Sequence, residues 1–282
     1  MTKENKKFGI RMDAANDKQT LVDLAEGATR VLDLGAGTGK LARDIADKWG
    51  CHVDAVDLSF KDDCKNTELV NYYKEDIVHF MQDRSLKIIR SAAECHDCMC
   101  YDCIILSAIL HELTDSYINE ICSNLRGLMK ENCRVIIREP FYDNWLGPIS
   151  LYGDELSDLV LDKISAKKYN EFVKTKKKHS NRSLLAENKN MDIQDIDILN
   201  LCFTLSYGEE SWKREKHELR YARSLDWCKE QFNKYYPYTG FKVIPVLDTS
   251  YRDLFIKAGL PGEAFDLVKY TGMIVVIDYN RI

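Results

Sequence analysis

At 282 residues, 45% hydrophobic and 30% charged, the chain has the make-up of an ordinary globular protein: one large domain, or one carrying a sizeable insertion. A formal charge of -5 gives no overall electrostatic case for nucleic acid, which leaves only local basic patches to consider. No apolar stretch is long enough to span a membrane. The polar opening Met1–Lys7 has no signal-peptide core, and ten cysteines without such a leader lead to the expectation of reduced thiols in the cytoplasm.

Residues 1–16 read as a polar arm, and Asp17 is expected to cap a short helix carrying Leu21, Val22, Leu24 and Ala25. Val31 to Leu34 form a short buried strand that runs into the turn Gly35-Ala36-Gly37-Thr38-Gly39. Leu41, Ile45 and Trp49 then recur at helical spacing until Gly50 stops the helix. Val53 to Leu58 are the second strand. Residues 62–84 read as one or two helices, Lys87 to Ala92 as the third strand and Tyr101 to Ser107 as the fourth. Thr114 or Asp115 caps a helix with Ile118, Ile121, Cys122, Leu125, Leu128 and Met129 at a period of 3.6. Arg134 to Arg138, closed by Pro140, are the fifth strand. Alternating strands and helices imply an α/β fold, a doubly wound and mostly parallel sheet with right-handed crossovers.

After Pro140 the pattern changes. Residues 141–236 are mostly helical and strongly charged, with apolar faces at Leu156, Leu159, Val160 and Ile164, at Ile193, Ile196, Leu199 and Phe203, and at Leu225, Cys228, Phe232 and Tyr235. Phe241 to Val246 and Met273 to Tyr279 return to strand character around a short helix, Asp248 to Ala258, stopped by Gly259. The expected organisation is a core over 1–140, a helical insertion or lid for substrate over 141–236, and C-terminal strands over 237–282 that complete the sheet with an antiparallel edge hairpin.

The glycine turn carries the chemistry. Glycines let the backbone come close to a ligand, and the following helix offers free N–H groups and a positive dipole end. Asp33, at the strand end, could hold an ammonium, and Asp57, ending the next strand, is suitably placed for ribose hydroxyls. A ligand with an ammonium, a carboxylate and a ribose fits, which is S-adenosylmethionine (SAM). A dinucleotide-binding turn would need glycine where Lys40 stands. A phosphate-binding P-loop would need glycine at Leu34 and Ser or Thr at Leu41. The remaining alternative is a glycine turn that binds nothing.

The ordered set VLDLGAGTG at 31–39, VDAVDLS at 53–59, SAAE at 91–94, YDCIILSAILHEL at 101–113 and RVIIREP at 134–140 resembles the class I SAM-dependent methyltransferases. The resemblance covers about residues 28–140 and 225–282, and it implies a seven-stranded, Rossmann-like sheet. It also implies that Asp33, Gly35, Ala36 and Gly37 line the methionine end of SAM. Asp57 would bind the ribose, Leu58 would flank the adenine, and Ala93 and Glu94 would edge its pocket. Ser107 and Ala108 would lie near the sulfonium. The family often has glycine before the fifth strand; here Asn132 and Cys133 stand in that turn.

His111, just beyond the fourth strand, resembles the histidine base of small-molecule O-methyltransferases, since imidazole exchanges protons near neutral pH. Its other reading is a hydrogen bond that shapes the loop. Glu112 is a second catalytic candidate, or else a solvated residue. Glu139 and Arg138 either orient a substrate or form a surface ion pair. Cys95, Cys98, Cys100 and Cys103 with His96 give two CxxC pairs, but too closely spaced for a usual zinc ribbon, and Cys103 falls in a strand; no metal is expected. The basic run Lys174–His179 and residues around Arg214 could contact RNA phosphates, with Tyr207 and Trp212 stacking on bases, or form a solvated helical face. Tyr207, Trp212, Arg214 and Glu139 are therefore the substrate candidates.

The reading is a methyltransferase that moves the SAM methyl group to an oxygen or nitrogen of a small molecule. Its alternatives are an RNA methyltransferase using the basic insertion and a non-catalytic SAM-binding sensor.

Overall fold

The structure, a computed structural model, describes residues 15–60, 64–91, 100–140, 155–179, 195–209, 212, 224–235, 240–268 and 271–279. Its strands are β1 (Arg30–Leu34), β2 (His52–Val56), β3 (Val70–Tyr73), β4 (Tyr101–Ser107), β5 (Met129–Glu139), β6 (Gly240–Val246) and β7 (Gly272–Tyr279). Its helices, in chain order, are α1 (Ala15–Leu24), α2 (Lys40–Trp49), α3 (Ile77–Ser91), α4 (Asp115–Leu125), α5 (Glu155–Val160), α6 (Ala166–His179), α7 (Asp195–Ser206), α8 (Leu225–Tyr235), α9 (Ser250–Lys257) and α10 (Gly262–Asp266). The strands form one sheet in the order β3-β2-β1-β4-β5-β7-β6. From β3 to β5 all pairs are parallel, and β7 runs antiparallel to β5. Among the described residues no helix is long and apolar enough to cross a membrane.

The chain divides into two units: a sheet unit of residues 18–139, 226–244 and 273–282, and a helical unit of residues 1–17, 140–225 and 245–272. In the sheet unit the central strands are covered on both faces, so β1, β2 and β4 read as near-continuous apolar runs. Leu41 and Ile45 of α2 are buried, and Trp49 donates from Nε1 to the Val22 carbonyl at 2.6 Å. Gly50 ends α2 at φ 64, its N–H bonded to the Ala46 carbonyl. Thr114 caps α4 by accepting the Tyr117 N–H.

Four local expectations change. Residues 87–91 are the end of α3, not a strand: Ile77, Phe80, Met81 and Ile88 are buried at helical spacing, while Ile89 is 66% exposed. The third strand is the short edge segment Val70–Tyr73, whose polar residues hide it in the sequence. Asp17 lies inside α1, which begins at Ala15, and so does not cap it. The turn before the fifth strand is part of β5 itself. Asn132 takes the left-handed conformation at φ 64, where glycine was expected, and the register with β4 shifts there.

A buried carboxylate pins the sheet to α3. Asp54, fully enclosed in β2, accepts from Tyr101 Oη at 2.6 Å, Arg30 at 2.8 Å and Arg84 at 3.1 Å on Oδ2, and from Asn71 at 2.9 Å on Oδ1. Burial works to raise its pKa, but the Tyr101 and Asn71 hydrogen bonds and the Arg30 charge outweigh it and hold the group below the ordinary carboxylate range.

The helical unit has its own core, built from Leu156 and Val160 of α5, Leu201, Cys202 and Phe203 of α7, Phe255 of α9 and Phe265 of α10. Phe203, Phe255 and Phe265 meet edge to face at centroid distances of 5.2 and 5.5 Å. Of the expected apolar faces, Ile193 and the side chains of Ile196 and Leu199 lie outside the described residues.

Asp54→Ala leaves two guanidinium groups facing each other without their shared counter-charge, and is expected to cost about 3 kcal/mol or more. Because the folded pKa of Asp54 is depressed, the contribution is present above the unfolded value and fades as pH falls through the folded one. Urea unfolding at pH 7 should show a clearly lowered midpoint for the variant, with the difference narrowing on acidification; an unchanged midpoint at pH 7 would contradict this role.

Candidate active site

The carboxyl ends of β1, β2, β4 and β5 gather most of the expected site residues. Asp33 is the fourth residue of β1, paired with Ala55 on one side and Ile105 on the other. After Leu34 the chain turns across the end of β2: the N–H groups of Gly35 and Ala36 both donate to the Val56 carbonyl, at 2.8 and 3.1 Å. Gly37 N–H donates to Asp57 Oδ2 at 2.9 Å, while Ser59 donates to Oδ1 from its N–H at 2.8 Å and its hydroxyl at 3.0 Å. Asp57 therefore fastens the glycine turn and keeps its remaining acceptor capacity for a hydroxyl-bearing ligand. Beside it Leu58 is 69% exposed, an open apolar face.

Two glycines of the turn are required by their surroundings. Gly35 has φ 74, and a Cβ there would come within 2.2 Å of Ile109 Cδ1; Gly39 has φ 66, and a Cβ there would meet Tyr72 Cε1 at 2.4 Å.

Asp33 has a different environment from Asp57. It is 1% exposed, its Oδ2 has no hydrogen-bond partner among the described residues, and burial followed by the nearby charge of Asp57 pushes its pKa up to about 7. A buried acid without donors is costly once ionised, and a cation placed against it removes that cost.

β4 ends at Ser107, and the next residue, Ala108, adopts φ 56 with its N–H bonded to the Arg138 carbonyl at 2.7 Å. A short 3-10 turn, Leu110–Glu112, follows. Glu139, the last residue of β5, is 1% exposed. Its Oε1 accepts the Leu110 N–H at 2.6 Å and its Oε2 lies 2.7 Å from His111 Nδ1. The far nitrogen of His111, Nε2, is 3.8 Å from Glu112 Oε1, on a side chain 44% exposed. Glu139, expected to orient a substrate or to sit in a surface ion pair, is thus a buried residue whose two oxygens hold the β4 connection and its histidine. The sequence hint is an acid that ends a strand directly before Pro140.

The other expected residues are not in this group. Ala93, Glu94 and Arg214 lie outside the described residues, as do Cys95, His96 and Cys98. Cys103 is buried in β4, where burial pushes its thiol up and away from the thiolate a metal needs. Among the described residues no three metal-binding side chains converge. Trp212 is 3% exposed within the core of the helical unit, so it offers no face for a base to stack on. Tyr207, in the same unit, shares a hydrogen bond at 3.1 Å with Tyr251 through their hydroxyls.

A family model for a methyltransferase domain matches residues 9–199, more than half of the chain. Among solved structures, similar folds include a SAM-dependent methyltransferase from Archaeoglobus fulgidus, at 11% identity over 93% of this chain and 94% of that one, with a TM-score of 0.48. The plantazolicin methyltransferase BpumL, solved with a triazolic desmethylPZN analog and S-adenosylhomocysteine (SAH), matches at 10% identity over 99% and 90%, also at 0.48. Human N-acetylserotonin methyltransferase in complex with SAM matches at 12% identity over 94% and 55%, at 0.42. No curated protein matches the chain.

The residues present suit SAM: an orphaned buried carboxylate oxygen at Asp33 for the ammonium, a glycine turn, and an acid at the end of β2 for the ribose. Since Asp33 must be ionised to hold an ammonium, cofactor affinity should rise about tenfold per pH unit up to pH 7 and level off above it. Calorimetric titration between pH 5.5 and 8 checks this, with Asp33→Asn expected to bind weakly and without that slope; a flat wild-type profile would contradict it. With the domain match spanning most of the chain, on a sheet of the order β3-β2-β1-β4-β5-β7-β6, the protein belongs to the methyltransferase-domain family as a class I SAM-dependent methyltransferase.

Proposed function

We propose that the protein methylates a small molecule, at a hydroxyl oxygen in the first instance, with His111 as general base. The observation that carries this reading is the 2.7 Å contact between His111 Nδ1 and the buried Glu139 carboxylate. An ionised carboxylate only accepts hydrogen bonds, so this contact favours the tautomer with the proton on Nδ1 and a lone pair on Nε2.

Bound SAM supplies an activated methyl carbon on a positively charged sulfur. The protein's part is position, dryness and the proton. Asp33 and Asp57 would fix the cofactor by its ammonium and its ribose. His111 Nε2 would take the hydroxyl proton as the oxygen–carbon bond forms, and Glu139 would stabilise the resulting imidazolium through Nδ1–H. A hydroxyl is a weak nucleophile until it loses its proton, whereas a neutral amine needs no base, which is why a held histidine supports the oxygen acceptor. Choice of substrate would fall to the inserted helices, because specificity on such a fold lies in segments added to the core.

The test is transfer of labelled methyl from SAM to a pool of phenols, catechols, amines and a separate pool of RNA. His111→Ala should lower transfer to the small-molecule pool by about 100-fold or more, and Glu139→Gln by a smaller factor, while SAH affinity stays within about threefold of wild type. Equal transfer by wild type and His111→Ala would overturn the base assignment, and transfer only to RNA would overturn the substrate class.

A further inference from the structure

The connection from β4 to the proposed base passes through Ile109. Ile109 is half-buried, lies two residues from His111, and its Cδ1 sits where a Cβ on Gly35 would be, 2.2 Å from it. Its direction is set firmly. The preceding Ala108 is held in the left-handed region at φ 56, a conformation that costs a non-glycine residue energy, by its N–H bond to the Arg138 carbonyl at 2.7 Å. On its other side the Ile109 carbonyl accepts the Glu112 N–H at 3.0 Å, closing the short turn that carries His111. Ile109 is therefore clamped at both ends, touches the cofactor turn, and stands on the segment that presents the base.

We infer that Ile109 is the wall that limits the size of the group the enzyme transfers, a reading that rests on the proposed alignment of cofactor turn, reacting carbon and His111. The group in transit has to lie between a cofactor seated on the Gly35 turn and an acceptor at His111 Nε2, and Ile109 meets the Gly35 turn and stands two residues before His111. Branching at Cβ restricts χ1, so the stem of the side chain is stiff. The reaction itself is unchanged by a larger group: the sulfur–carbon bond breaks, the oxygen–carbon bond forms, the hydroxyl proton goes to Nε2, and SAH leaves.

The test needs no acceptor. The affinities of SAM, SAH and the S-allyl analogue of SAM are measured by calorimetry for wild type, Ile109→Val and Ile109→Ala. Ile109→Val removes only the methyl group that meets Gly35, so it probes the contact with the least risk to folding. Wild type is expected to bind SAM at least tenfold more tightly than the allyl analogue. Ile109→Val should narrow that ratio, and Ile109→Ala should bring it close to one, with SAH affinity within about threefold throughout. An unchanged SAM-to-allyl ratio in both variants, or equal binding of the two by wild type, would overturn the inference. Loss of allyl discrimination together with SAH binding would also overturn it, showing a general packing role. Failure of wild type to bind SAH at all would instead sink the cofactor reading on which it rests.

Discussion

A buried carboxylate with one oxygen that meets no donor among the described residues is the constraint around which the carboxyl edge of this sheet is arranged. Asp33 is 1% exposed, Oδ2 meets no hydrogen-bond donor among the described residues, and its pKa is pushed up to about 7. A chain under no functional demand would relieve that cost by replacing the acid or supplying donors. Asp54, one strand away, shows the relief: equally buried, it draws in four donors and is held below the usual carboxylate range. The second acid holds the fold together; the first carries a cost that the cation proposed for it would remove.

The same edge uses two more acids in two further ways. Asp57 accepts the Gly37 N–H and both donors of Ser59, so it shapes the turn that it also borders. Glu139 gives one oxygen to the Leu110 backbone and the other to His111, so the end of β5 fixes the position of a side chain that β4 delivers. Parallel strands bring these side chains together without any of them being near in sequence: Asp33, Asp57, His111 and Glu139 reach one edge because β1, β2, β4 and β5 all point the same way.

Much of this was legible in the residues alone because it is local. The glycine turn, Asp57 at the end of an apolar run, and a helix capped by Thr114 each carry their signal within a few residues. What escaped depends on partners distant in the chain. The strand Val70–Tyr73 is short and polar, and its Asn71 is explained only by Asp54. Ile88 and Ile89 imitate a buried strand until one is seen to face the core and the other water. Asn132 replaces glycine because it too tolerates a left-handed backbone. Glu139 could not be told from a surface acid without the burial that β4 and β7 impose on the end of β5. Trp212 sits at a spacing that suits stacking as well as packing, and only the core of the helical unit decides between them.

The measurement that bears most directly on this account is a crystal structure of the protein with SAH. The account predicts the amino group of SAH against Asp33, its ribose hydroxyls on Asp57, and its sulfur on the side of the glycine turn that faces Ile109 and His111. SAH bound away from the carboxyl ends of β1 and β2, or bound there with Asp33 still without a cationic partner, would contradict it.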